Sequence, residues 1–181
     1  DGILKSLQTQ SLRPMFPVTD YLKFLFSATN EHGVHSPFVY GYLTRCLYRK
    51  PRLHRDKALD VLLKSIPYFK VKTMGLPQSS PGIKELVGAA YPEIRFQQPP
   101  YDLLYLEAPD PAIIREAMEE PAQLHNDSLC IIQGIHADKM AGVLWREVRA
   151  LEQVRVSIDG FFCGLVFFRR QQAEQHFKIR I

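Results

Sequence analysis

From Phe69 onward the sequence alternates short strand-like runs, two of them continuously apolar, with stretches of helical period, and few architectures accommodate that order. The runs at 71–74, 94–96, 102–107 and 128–132 have the length of strands. Between them, 83–90, a segment from Asp110-Pro111 to about 120, and a segment opening at Ala137-Asp138 repeat apolar residues at helical spacing. Met140, Val143, Leu144, Val148 and Leu151 are expected to form the inward face of that last helix. Strands apolar on both faces, separated by amphipathic helices, imply a parallel sheet covered on both sides. Two final strands, 154–158 and 165–168, flank Asp159-Gly160 and read as an antiparallel pair at the edge.

The first third of the chain has a different character. Residues 1–14 are polar and weakly patterned and read as an extension, 15–68 as a helical cap, and 69–181 as the α/β core. Tyr21, Leu22, Leu25 and Phe26 fall on one helical face, a stripe expected to be buried. Ser36-Pro37 opens a second helix, with Ser as the N-cap and Pro where its missing N–H costs nothing. Phe38, Tyr42, Leu43, Cys46 and Leu47 form its apolar side. After a basic connector, a third helix over 57–68 turns Leu59, Leu62, Leu63 and Ile66 inward.

Composition narrows the class without naming it. With 181 residues, 46% of them hydrophobic and 23% charged, the chain can bury one substantial core. The net charge of +4 permits anionic partners. Cys46, Cys130 and Cys163 are odd in number and apolar in setting, which points to reduced core thiols rather than a disulfide framework. The longest apolar run, 161–168, is about a third of a membrane span, and the N-terminal residues lack the order of a secretory signal. The expectation is a cytoplasmic protein without a membrane segment.

In open α/β sheets, ligands sit outside the carboxyl ends of the strands. Those ends carry Gly75-Leu76-Pro77-Gln78, Glu107-Ala108-Pro109-Asp110 and Gln133-Gly134-Ile135-His136. Neither a dinucleotide fingerprint nor a P-loop is present. The acid expected after the strand ending at Phe96 is also missing, because Gln97-Gln98-Pro99-Pro100 follows. Ser79, Ser80 and Gly82 can cup an anion at a helix start, or simply form a strand–helix turn. Glu107, Asp110 and His136 can pair for proton transfer; equally, Asp110 is an N-cap and His136 packs beside its helix. His32-Gly33-Val34-His35 supplies two ligands where zinc or copper wants three or four. The cations of 45–57 can touch phosphate or nucleic acid, though with little aromatic interleaving beyond Tyr48. The 161–168 run is core or in part a homodimer surface, and nothing near Cys163 supplies a base.

The strings His32-Gly33-Val34-His35-Ser36-Pro37-Phe38 and Gly164-Leu165-Val166-Phe167-Phe168-Arg169 resemble a group of bacterial class I S-adenosylmethionine-dependent methyltransferases. Leu124–Ser128, Ile135-His136, Trp145-Arg146-Glu147-Val148 and Ser157–Cys163 resemble the same group, in the same order. The resemblance implies a Rossmann-like, methyltransferase-type, mostly parallel sheet with N-terminal helices and a C-terminal antiparallel hairpin. It also implies S-adenosyl-L-methionine as cofactor, held by Gln78, Ser79, Ser80, Gly82 and Glu107, with His136 lining the pocket of a methyl acceptor.

The departures fall at the chemistry. Where such proteins read E-x-G-x-x-x-G, this chain has Leu76, Gln78 and Gly82, so only the last glycine matches. Glu107-Ala108-Pro109-Asp110 stands in place of D-G-x-H, and Gln133-Gly134 in place of a paired acid. Material is also missing between Cys46 and Lys57 and between Tyr91 and Asp102. Losing charge-assisted bonds to a ribose diol, together with crowding at a glycine position, weakens a micromolar cofactor to about the millimolar range. The expectation is a degenerate methyltransferase homologue, with a non-catalytic interaction or scaffold protein as the alternative and a nucleic-acid-binding module as a third.

Overall fold

Alternation of side chains decides how this chain layers. Leu103 and Tyr105 point to one face of the sheet, Leu104 and Leu106 to the other, and Leu129/Ile131 against Cys130/Ile132 repeat the pattern. A computed structural model describes residues 18–77, 81–119 and 123–181. Within them lie seven strands: β1 (Thr73–Gly75), β2 (Arg95–Phe96), β3 (Tyr101–Leu106), β4 (Leu124–Gln133), β5 (Val156–Asp159), β6 (Cys163–Phe167) and β7 (Gln175–Lys178). They form one sheet in the order β2-β1-β3-β4-β6-β5-β7. All neighbours are parallel except where β6 runs against β4 and β5.

The antiparallel pair expected at the edge is present but lies inside the sheet. β7, parallel to β5, takes the outer position. Its Gln175-His176-Phe177-Lys178 offers a single apolar residue, so no hydrophobic pattern announces it.

The helices cover both faces. α2 (Pro37–Tyr42, continued as a π-turn over Leu43–Leu47), α3 (Lys57–Phe69) and α4 (Pro81–Ala90) pack on one. α5 (Pro111–Met118) and α6 (Lys139–Arg149) pack on the other. Their starts are capped as the local sequence dictates. Ser36 accepts from Val39 N–H, Asp110 from Ala112 and Ile113, and Asp138 from Ala141; Asp56 does the same for α3. Trp145 of α6 lies against Gly164 of β6, where a Cβ would stand 2.6 Å from the indole ring.

α1 (Val18–Ser27) departs from the expected stripe. Leu22 and Phe26 are exposed, and Phe24 is the residue buried, with Tyr21 and Leu25 partly covered. In α6 the inward residues are Ala141, Trp145 and Val148, while Met140 and Val143 face outward. The bulk of Trp145 sets that rotation. α1 lies against the β5–β6 turn through Phe161 and Phe162, and Thr29 just beyond it pairs with Ile179.

Candidate functional site

The chain lays β2 on one side of β1 and then crosses to lay β3 on the other, so the sheet switches direction between β1 and β3. In an open parallel sheet the crevice at such a switch point is where a ligand settles. Three carboxyl ends meet there: Leu76-Pro77 after β1, Gln97 after β2, and Glu107 after β3.

This rim is built mainly for its own backbone. Gln97 Nε2 donates to the Leu76 carbonyl at 2.8 Å, and Gln97 Oε1 accepts Leu76 N–H at 3.0 Å. The carboxamide thus acts as one further rung of the sheet. It is held in a left-handed backbone conformation, φ 55°, unusual for a residue with a Cβ. Leu76 is buried and presents hydrocarbon. A Cβ at Gly75 would stand 2.8 Å from the Tyr101 ring and 2.9 Å from Leu104, so close packing, with no ligand involved, accounts for the glycine. Beside the rim, Pro77, Gln97, Tyr101, Leu104, Ile113 and Glu116 border a cavity of about 280 Å³. That lies just under the roughly 300–1,000 Å³ of small-molecule sites.

Gln78, Ser79 and Ser80 lie outside the described residues. Gly82 is an exposed residue in the first turn of α4. Glu107 is exposed at the end of β3, and partial burial of its carboxyl raises its pKa above the ordinary value. Asp110 serves as the cap of α5. Tyr105 donates to Gln133 Oε1 at 2.7 Å, which occupies the side chain standing where a paired acid was expected.

His136 takes its partner from elsewhere. Its Nε2 lies 2.9 Å from Oδ2 and 3.1 Å from Oδ1 of Asp159, at the end of β5. Asp159 is buried and also accepts Phe161 N–H at 3.0 Å. Phe161 sits at φ 67° and stacks on the imidazole, 5.2 Å between ring centroids and 22° between planes. Phe24 of α1 covers the group from outside, 6.3 Å from the imidazole. An imidazole oriented by a buried carboxylate is the geometry of a general base. The nearby thiol does not complete it, because burial, with added repulsion from Asp56 and Asp159, pushes Cys163 well above the ordinary thiol value. Asp159 was not among the expected partners of His136, since only the pairing of β4 and β5 with β6 between them brings the two together.

A second polar chain was also unforeseen. Ser157 Oγ lies 2.8 Å from His176 Nδ1, and His176 Nε2 lies 3.5 Å from Glu174 Oε1. The order of groups is that of a nucleophilic relay, but Ser157 is 1% exposed and no substrate carbonyl reaches its hydroxyl. Ser157 and His176 are register partners on β5 and β7, so the contact fastens the edge strand.

Cys46, Cys130 and Cys163 are buried free thiols. Among the described residues there is no cluster of three or more metal-ligating side chains, and no helix is long and apolar enough to cross a membrane. Compared with protein-family models, with curated proteins and with solved structures, the chain matches none.

Proposed function

We propose that this chain is a methyltransferase-type α/β protein of Rossmann-like descent that no longer holds S-adenosylmethionine and serves as a non-catalytic interaction protein. The strand order, with its switch between β1 and β3 and one reversed strand near the end, supports that descent. The sequence strings around His32–Phe38 and Gly164–Arg169 support it independently.

The loss of the cofactor rests on one observation, the pair of hydrogen bonds between Gln97 and Leu76. A ribose diol is held by a carboxylate that accepts from both hydroxyls. After β2 this chain offers a neutral carboxamide whose oxygen and nitrogen each already hold one bond to Leu76. A sugar there meets only the second N–H and second lone pair of that carboxamide and gains no charge-assisted bonds. Leu76 adds only hydrocarbon at the end of β1. The described residues therefore do not fit the sulfonium donor. In this reading the His136–Asp159 pair organises the β5–β6 turn beneath α1.

Calorimetric titration with S-adenosylmethionine and with S-adenosylhomocysteine tests the proposal. No binding is expected up to about millimolar ligand. Micromolar binding of either compound overturns it.

A further inference from the structure

Away from the switch point, the connector before α3 folds back over that helix and encloses a concave space of about 190 Å³. Among the described residues its wall carries Arg49, Lys50, Arg52, Lys57 and Lys64 against one acidic side chain, Asp60, with Ile181 also on the lining. Two of these groups neutralise each other and form scaffold. Lys64 Nζ lies 2.9 Å from Asp60 Oδ2 and donates to the Leu47 carbonyl at 3.2 Å, and Asp60 Oδ1 accepts Leu53 N–H at 2.6 Å. The pair is buried and pins both ends of the connector.

Four cations remain. Arg49, Lys50 and Arg52 are exposed and form no ion pair with any described carboxylate. Lys57 is half-buried; it donates to the Ile181 carbonyl at 2.6 Å and lies 4.6 Å from the centroid of the Phe162 ring. One bond leaves its ammonium with further N–H groups to offer. Burial, and then the charge of Arg52, lower its pKa, so the cations around this space repel one another. A concavity lined by one sign of charge focuses its field on an ion of the opposite sign. Such an ion relieves the repulsion among these cations.

We propose that this cavity binds the polyphosphate group of a small molecule, with Arg49, Lys50, Arg52 and Lys57 as its ligands. Guanidinium forks match phosphate oxygens two at a time, and four positive charges suit a multiply charged group better than a single carboxylate. The space, about 190 Å³, has room for a diphosphate. The cations line one hollow in which Tyr48 is the one aromatic among the described lining residues, and a single-stranded nucleic acid requires a run of such platforms. This inference does not depend on the fate of the methyl-donor cleft.

Inorganic pyrophosphate is the probe. Titrated into the full chain at low ionic strength, it is expected to bind and to raise the thermal midpoint. The double variant Lys50→Ala/Arg52→Ala changes only exposed side chains, so circular dichroism should be unaltered while affinity falls at least about tenfold. Lys139→Ala, an exposed cation on α6, should bind as the parent does. Absence of binding at millimolar pyrophosphate overturns the proposal, as does an equal loss in the Lys139 variant. It is also overturned if a short single-stranded oligonucleotide binds through Lys50 and Arg52 and pyrophosphate fails to displace it.

Discussion

Gln97 and Leu76 exchange two hydrogen bonds, side chain to main chain, so that one carboxamide closes the ends of β1 and β2 together. Gln97→Ala removes both. The pair sits at an exposed rim, so water replaces part of what is lost, and the expected cost is about 1–2 kcal/mol. Urea denaturation should show a lower midpoint with an unchanged slope. Gln98→Ala, the exposed neighbour, should leave the curve in place.

Glycines on the two sides of α6 should respond in opposite senses. Gly164→Ala drives a methyl group to 2.6 Å from the Trp145 ring, an overpacking expected to cost about 1–3 kcal/mol. Gly142→Ala has no atom within 4 Å of its new Cβ and should be neutral or stabilising by up to about 1 kcal/mol, through helix propensity. Trp145 is the chain's only tryptophan and is buried, so its fluorescence reports the first change and ignores the second.

Lys70 ends α3 in the left-handed region, φ 54°, where its N–H bonds back to the last turn. A Cβ is a liability there and glycine carries none. Lys70→Gly is expected to stabilise the protein by about 0.5–1 kcal/mol. A fall in stability would mean that the exposed lysine side chain has a role of its own.

Acid should loosen the amino ends of β1, β3 and β4, where Asp102 joins them. Partial burial pushes the Asp102 carboxyl upward, but N–H bonds from Lys72 and Thr73, with His125 and the Thr73 hydroxyl, outweigh it and hold the group below its ordinary value. The unfolded chain then takes up the proton first. The stabilisation from the carboxylate is complete above about pH 4 and is lost as pH falls through the lower folded value. A series of melts through that range should fall less steeply for Asp102→Asn, from a lower starting midpoint.

What could be read ahead of the structure was local. Ser36 and Asp110 were legible as caps because a cap acts within three residues of itself. The continuous apolar runs of β3 and β4 were legible because both their faces are buried. The inward face of α1 was misread because its apolar arc is wide, taking in Tyr21, Leu22, Phe24, Leu25 and Phe26; the position of Phe161 selects Phe24 over Phe26. Gln97 could be seen to lack a charge. That it binds Leu76 depends on which strands become neighbours, and no periodicity carries that information. His136 and Asp159 belong to the same class: two polar residues joined only by the closing of the sheet.

Thr29 donates its N–H to the Lys178 carbonyl and accepts the N–H of Arg180, so the exit of α1 and the far side of β7 are one piece of hydrogen-bonded backbone. Joining them closes a loop over most of the chain, which is costly in entropy, and neither amide is protected from solvent exchange until it closes. Their amides should therefore open together as one of the last units to assemble, and the roof over His136 inherits that shared timing.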